Sequence, residues 1–168
     1  NETNGGLSIG VNEDTGIHHN RIVMTGEGST EAIEFGGVNS WANNNYIEGC
    51  LGIVCWADNR GIPQTGLRIQ NNVFKNCTDA IMISSCSNGI FSGVRIENNT
   101  VDGCAELWGG GAVYLRIQDP TAGTDSVITG TKIRNNLVTN STGYGMSFTG
   151  RNGGTLYAAQ LQDTQLSN

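Results

Sequence analysis

Basic side chains recur at one position of a phrase that this sequence repeats. Arg68, Arg95 and Lys132 each stand directly before an isoleucine. Trp41 occupies the same position in an earlier copy. Because stacked cations repel one another, this basic column (Arg68, Arg95 and Lys132) needs a neighbouring acid or a bound polyanion. Uronate or sulfated sugar chains would supply that charge and accept hydrogen bonds. The alternative is a solvated face whose aliphatic stems cover a sheet.

A second outward column lies beside the basic column, one residue beyond each isoleucine. Its members are His18, Asn43, Gln70, Glu97, Arg134 and Gln162. Glu97 is the acid that could compensate the basic column, and Arg134 adds a cation to the same face. In the last copy we place Gln160 at the end of the basic column. We expect Trp41, Glu97 and Arg134 to contribute to binding.

Segments of variable length collect just before the basic column when the copies are aligned. These segments are 56–66, 84–93, 116–130 and 149–154. Insertions on one face of a repeat protein commonly mark its binding side. We therefore expect a groove beside the basic column, rimmed by Trp56, Asp58, Arg60, Asp119, Asp125 and Arg151. A separate insertion at 105–111 offers Trp108 as an exposed aromatic residue, or as a cover for the core.

The repeated phrase is clearest as LRIQNNVFKNC at 67–77 and VRIENNTVDGC at 94–104. Looser copies lie at 40–50 and 131–141, and degenerate ones open near Thr15 and close the chain, where Leu161 and Leu166 align with Ile133 and Val138. A second phrase of alternating apolar residues follows each copy, as in AIMI at 80–83. Each repeat thus supplies about three short strands between Gly/Asn turns, with no helix-length segment.

A unit of three short strands cannot bury its own apolar face, so the copies must stack. Parallel stacking at about 4.8 Å per rung buries each copy against the next. The sequence therefore predicts an all-β fold, a right-handed parallel β-helix (a solenoid) of about six coils. Residues 1–168 form one domain with incomplete coils at both ends. Exposed end rungs would aggregate unless covered, so we expect a segment of a longer solenoid or a homo-oligomer.

The alignment also assigns an interior. Ile69, Ile96 and Ile133 form one column with Ile17 and Ala42. A second column contains Ile22, Ile47, Phe74, Val101 and Val138. The paired asparagines mark the bend between two strands, where asparagine tolerates a left-handed backbone and stacked amides can hydrogen-bond from coil to coil.

Cysteine and histidine side chains have structural explanations. Cys50, Cys77 and Cys104 fall in one column, which we predict to be a stack of buried free thiols, since parallel side chains lack the torsion of a disulfide. Cys55 is predicted to lie in the core, and Cys86 in a turn, where it is the reactive candidate. His18 and His19 are adjacent, so we expect them to point to opposite faces of a strand. No zinc-ligand spacing such as CxxC or HExxH occurs.

The phrase I-x-N-N-x-[apolar]-x-[Asn/Gly]-[Cys/Ser] resembles the parallel β-helix repeat of the pectin-lyase-like superfamily, over nearly the whole chain. That superfamily includes polysaccharide lyases, glycoside hydrolases, uronan epimerases, tailspikes, adhesins and inert structural domains. The resemblance implies an extracellular or cell-surface protein. For a lyase it implies Arg68, Arg95 or Lys132 as the catalytic base, with Ca²⁺ held by Glu97, Asp119 or Asp125. No catalytic motif of the superfamily is matched.

Charge and composition limit the classes of partner that the chain could bind. The formal net charge is −6, which argues against nucleic acid, because phosphate binding needs a net basic face. No apolar run is long enough for a membrane span. Glycoside hydrolysis needs facing carboxylates, and no outward column pairs Asp or Glu on neighbouring copies. Because the basic column and the segments of variable length lie on the same side, we expect an acidic polysaccharide as the partner, either bound only or also cleaved by β-elimination, and a structural or adhesive solenoid without catalytic activity is the alternative.

Overall fold

The computed structural model describes residues 7–24, 30–57, 62–105, 110–119, 126–152, 161–162 and 165–167. Within these ranges every regular element is a β-strand. In chain order the strands are β1 (Leu7–Glu13), β2 (Gly16–His18), β3 (Arg21–Val23), β4 (Glu31–Val38), β5 (Trp41–Asn43), β6 (Tyr46–Glu48), β7 (Leu51–Ala57), β8 (Gln64–Thr65), β9 (Arg68–Gln70), β10 (Val73–Lys75), β11 (Thr78–Cys86), β12 (Ile90–Ser92), β13 (Arg95–Glu97), β14 (Thr100–Asp102), β15 (Gly111–Asp119), β16 (Val127–Thr129), β17 (Lys132–Arg134), β18 (Leu137–Thr139), β19 (Tyr144–Asn152), β20 (Leu161–Gln162) and β21 (Gln165–Ser167).

All pairings between these strands are parallel, and they form three sheets. Sheet A contains the long strands β1, β4, β7, β11, β15 and β19 and the short strands β8, β12, β16 and β20. Sheet B has the order β2-β5-β9-β13-β17-β21, and sheet C the order β18-β14-β10-β6-β3. Neighbouring strands come from successive copies of the repeat, as a parallel β solenoid requires. No helix in the described ranges could span a membrane.

The strand registers confirm that equivalent residues of successive repeats lie side by side. Ile69 pairs with Ile96, and Ile96 pairs with Ile133, in sheet B. In sheet C, Phe74 pairs with Val101. These middle residues of three-residue strands are buried, whereas the residues on either side face outward. The main hydrophobic core therefore lies inside the three sheets, and each fully buried aliphatic side chain contributes about 1.5 to 3 kcal/mol.

The asparagine pairs form the bend between sheets B and C, as predicted. The first asparagine of each pair has a left-handed backbone, with φ between 54° and 58° at Asn44, Asn71, Asn98 and Asn135. The second asparagine points inward and builds the asparagine ladder, which consists of Asn20, Asn45, Asn72, Asn99 and Asn136. Each Nδ2 donates to the Oδ1 of the next member at 2.9 to 3.0 Å. The ladder thus ties successive repeats together through buried amides.

Two expectations about the repeat unit were wrong. Each repeat has a fourth short strand, seen in β8, β12 and β16, inside the segments that we expected to be loops. The last copy is also shifted by five residues, because Leu166 rather than Leu161 pairs with Ile133. Leu161 pairs with Ile128 instead. The preceding repeat contains two pairs of apolar residues that are five positions apart, as Leu161 and Leu166 are. The spacing of the last copy therefore fits either register.

The prediction for Cys86 was also wrong, because Cys86 ends strand β11 and pairs with Gln118 rather than lying in a turn.

Some outward positions of sheet A are buried. Leu51, Val54, Met82 and Tyr114 are at most 3% exposed and form an outer apolar cluster on the sheet face opposite to the main core. Sequence pattern alone assigned such positions to solvent, since they alternate with core residues.

Candidate functional site

Sheet B brings the basic column together. Trp41 pairs with Arg68, Arg68 with Arg95, and Arg95 with Lys132, each on the next strand of the sheet. Lys132 pairs in turn with Gln165, not with Gln160 as the sequence alignment predicted. These strands are only three residues long because a left-handed asparagine or histidine follows each of β2, β5, β9, β13 and β17. The three cations therefore follow one another at the spacing of hydrogen-bonded strands, about 4.8 Å.

Arg68 and Trp41 are engaged with their surroundings. The Arg68 guanidinium carbon lies 5.5 Å from the centroid of the Trp41 ring, within cation–π range. Arg68 also donates from Nη2 to the carbonyl of Asn39 at 3.1 Å. The Trp41 indole also fills the space next to Gly16, where an added Cβ would collide with it. Arg68 and Gly16 thus hold part of the indole, and Trp41 remains partly exposed.

Arg95 and Lys132 differ from Arg68 because neither side chain has a hydrogen bond or an ion pair within the part of the chain that the structure describes. Arg95 is exposed and Lys132 is partly exposed. They lie directly beside each other on β13 and β17. The charge of Arg95 still acts on Glu97, whose pKa it helps to lower, so the pair is compensated only in part.

Glu97 is the neighbouring acid, and its carboxylate is already bound. It accepts hydrogen bonds from Gln70 Nε2 at 2.8 Å and from Arg134 Nε at 3.0 Å, and it forms a salt bridge with Arg134 Nη2. Burial opposes ionisation of Glu97, but the hydrogen bonds from Arg134 and Gln70, together with the positive charges of Arg134 and Arg95, outweigh it, so the pKa of Glu97 lies below its ordinary value. These three residues occupy successive places of the second outward column. The negative charge of Glu97 is therefore offset mainly by Arg134.

The structure describes only some of the residues that were predicted to rim the groove. Trp56 lies on the outer face of sheet A, half-buried, and packs against the outer apolar cluster. Asp119 and Arg151 belong to β15 and β19, where Arg151 pairs with Gln118, but the structure describes only their backbone. The other rim residues, Asp58, Arg60 and Asp125, lie outside the described residues, as does Trp108 from the separate insertion. Of the aromatic candidates, Trp41 alone is shown beside the basic column.

The described pairings place no Asp or Glu in register with another Asp or Glu. This arrangement does not provide the facing carboxylates that a glycosidase uses. In the same described ranges, no group of three or more His, Cys, Asp or Glu side chains could hold a metal ion. The described part of this face presents Arg95 and Lys132 side by side as its cations.

The thiol column of Cys50, Cys77 and Cys104 is buried and free, as predicted, and so is Cys55. Cys77 Sγ donates to the carbonyl of Ile47 at 3.7 Å. Burial raises the pKa of Cys104 to about 11 and also raises the pKa of Cys55, whereas the hydrogen bond with Cys50 lowers the pKa of Cys77. The three thiols of the column are at most 3% exposed, so a reagent in solvent does not reach them. The column is therefore part of the core.

His18 and His19 were expected to point to opposite faces, and this prediction was wrong. His19 follows the strand and has a φ of 57°, which is the left-handed conformation of the first asparagine in other repeats. The turn brings the two rings together, with 5.1 Å between their centroids and 2.9 Å between the two Nδ1 atoms. The signal was present in the sequence, because this repeat carries histidine where later repeats carry asparagine.

Comparisons with protein families, with curated proteins and with solved structures find no match to this chain.

Proposed function

We propose that the chain is a right-handed parallel β-helix of about six coils that binds an acidic polysaccharide along the outer face of sheet B. Right-handed connections are the general rule between parallel strands of one sheet. The coil number rests on the six strands of sheet B. The repeated phrase with its paired asparagines supports membership of the pectin-lyase-like superfamily and an extracellular or cell-surface location.

One observation carries the proposed function. Arg95 and Lys132 are in register on adjacent strands and form no hydrogen bond or ion pair in the described residues, while the nearby carboxylate of Glu97, which also attracts Arg95, is bound by Arg134 and Gln70. Two cations that one shared carboxylate compensates only in part repel each other unless an anion bridges them. A polymer with a carboxylate or sulfate on each sugar supplies repeated anions along its length. Arg68 continues the column and is held in place by Trp41.

Binding is tested with alginate, polygalacturonate and heparin, each followed by calorimetry at low ionic strength. Arg95→Ala and Lys132→Ala should each weaken binding about tenfold, because one charge-assisted hydrogen bond contributes about 1.5 to 3 kcal/mol. Lys75→Ala removes the same charge from sheet C and is the matched control. Equal affinities of the Arg95, Lys132 and Lys75 variants would contradict the proposal, as would the absence of binding to all three polymers.

The same side chains suggest β-elimination of the bound chain as the reaction: Arg68, Arg95 or Lys132 in its neutral form abstracts the proton beside the uronate carboxylate, the C4–O bond to the leaving sugar breaks, and a C4–C5 double bond forms. Absorbance of the unsaturated product, measured with and without Ca²⁺, distinguishes a lyase from a binding protein. Loss of that absorbance in Arg95→Ala but not in Lys75→Ala would assign the activity to the basic column. Binding without product would leave recognition as the function.

A structural or adhesive solenoid is the second candidate, and a specific observation favours it. Trp41 contacts Arg68 and Gly16, and Glu97 pairs with Arg134, so part of the outer face of sheet B is compensated internally. Such a face needs no ligand to be stable. Failure of all three polymers to bind would select this alternative.

A further inference from the structure

We propose that His18 and His19 form a binding site for a divalent transition metal ion, of which Cu²⁺ and Ni²⁺ fit best. The two side chains belong to the first repeat and are both exposed. Imidazole nitrogen is a preferred ligand of copper, nickel and zinc. The proposal is independent of polysaccharide binding, since it involves none of the residues of the basic column.

The distance between the two rings selects the geometry. The Nδ1 atoms are 2.9 Å apart. Two ligands held at about 2.05 Å from one ion lie about 2.9 Å apart when they subtend 90°, and about 3.3 Å apart in a tetrahedron. The pair therefore matches adjacent positions of a square-planar or octahedral site. Without an ion, one Nδ1 must carry the proton of a hydrogen bond to the other.

The backbone conformation brings the two imidazole rings together. His18 ends strand β2, and the left-handed φ of 57° at His19 turns the next side chain back toward it. Adjacent residues in an ordinary strand would point to opposite faces. Neighbouring repeats confirm that this bend belongs to the fold, because Asn44 and Asn71 have φ values of 57° and 56° at the same position. The fold thus preorganises the two ligands.

The candidate for a third ligand is Asn43 on the next strand. Asn43 pairs directly with His18, and its Oδ1 is buried and accepts no hydrogen bond from the residues that the structure describes. A buried carbonyl oxygen without a donor is unfavourable, and a cation nearby would compensate it. Asn20 Nδ2 donates to the backbone carbonyl of His18 at 3.1 Å and helps to fix the strand end. Water would fill the remaining positions.

The repeats themselves provide the test variants. His19→Asn introduces the residue that the next repeat has at the equivalent position, Asn44. His18→Asn does the same for the position of Asn43. Both substitutions place a residue that this fold already accepts at the same position, so both variants should fold. Far-UV circular dichroism and thermal melting verify that they do. His18→Asn/His19→Asn completes the series.

Ni²⁺ alone and Cu²⁺ alone are titrated into the protein by calorimetry at pH 7.5, and electron paramagnetic resonance records the nitrogen coupling of the copper. We expect one equivalent to bind with coupling to two nitrogens, and each single variant to lose about tenfold or more in affinity, as even an outer ligand is worth 10 to 100-fold. A single variant should show coupling to one nitrogen. No binding above the double variant, or single variants within threefold of the original chain, would overturn the proposal.

Discussion

At the scale of single residues, the asparagine ladder shows how one side chain can hold two repeats together. Asn72 Oδ1 accepts hydrogen bonds from the backbone N–H and the Nδ2 of Asn45, at 2.9 and 3.0 Å. Its Nδ2 donates to the carbonyl of Ala42 at 2.9 Å and to Asn99 Oδ1 at 3.0 Å. Asn72 is 1% exposed, so water cannot replace these partners.

Asn72→Ala should therefore lower the free energy of unfolding by about 3 kcal/mol or more, because several buried groups lose their partner and each costs about 1 to 3 kcal/mol. Urea denaturation followed by circular dichroism measures the change. Asn20→Ala is the control, since Asn20 is exposed and ends the ladder in the described residues. Equal losses for the two variants would show that the buried amide network is not what stabilises the stack.

Glu97 makes stability depend on pH through its interactions with Arg134 and Gln70. The pKa of Glu97 is lowered from an ordinary value of 4.5, so the unfolded chain binds a proton at higher pH than the folded chain does. Its stabilising contribution is thus fully present above pH 4.5 and is lost as the pH falls through the lower folded pKa. Glu97→Gln should be less stable than the original chain at pH 7, and the difference should shrink below pH 4.5.

Denaturation at a series of pH values measures this difference. In an Arg134→Met background the effect of Glu97→Gln at pH 7 should become smaller, because the main partner of the carboxylate is gone. A stability difference between the original chain and the Glu97→Gln variant that does not change with pH, or that survives loss of Arg134 undiminished, is the result that would refute this account.

At the scale of strands, the middle residue of each short strand in sheet B carries the packing. Ile96 is fully buried and lies between Ile69 and Ile133, with one on each neighbouring strand. Ile17 is equally inward but has only Ala42 in register among the described strands. A cavity at Ile96 therefore removes contacts with two neighbouring strands, and one at Ile17 with a single strand.

Ile96→Ala should lower the free energy of unfolding by about 2 to 5 kcal/mol, the usual range for a large-to-small change in a core. Ile17→Ala should have a smaller effect for the reason just given. Ile62→Ala is the surface control, because Ile62 is 50% exposed, and it should change stability by less than about 0.5 kcal/mol. Chemical denaturation gives all three values, and a larger loss at Ile17 than at Ile96 would contradict the packing argument.

The strand columns could be predicted from sequence because the phrase around each asparagine pair constrains both faces of two strands. The register of Arg68 with Arg95 followed from that phrase alone. The fourth strand was not predicted, because β8, β12 and β16 share only a final Thr or Ser followed by a left-handed Gly, and segments of unequal length precede them. The register of the last copy was predicted wrongly for a related reason. Its large apolar residues are Leu161 and Leu166, and their spacing fits two registers.

The candidate site was predictable as a column but not as a set of contacts. Sequence placed Arg95 and Glu97 correctly on one face, but it could not show that Glu97 bonds to Arg134 and that Trp41 contacts Arg68 and Gly16. Such contacts depend on side-chain rotamers, which a repeat alignment does not contain. The meeting of the two histidines likewise depends on one backbone angle at His19.

At the scale of the whole molecule, each repeat contacts only its neighbours, so stability should vary along the stack. Ile47, Phe74 and Val101 in sheet C are at most 1% exposed. Ile22 and Val138, which belong to β3 and β18 at the two edges of that sheet, are only partly buried. In a stack of this kind, stability is approximately a sum of repeat terms and nearest-neighbour terms.

Hydrogen exchange should therefore be slowest in the middle of the stack and faster toward both edge strands. We expect the backbone amides of β10 to exchange more slowly than those of β3 and β18, because local opening at an edge breaks contacts with one neighbouring strand instead of two. Mass spectrometry of peptic fragments measures this gradient. Ile96→Ala should speed exchange most in β9, β13 and β17, the strands that pack around it. Uniform protection along sheet C, unchanged in its profile by that substitution, would mean that the stack opens as one cooperative unit.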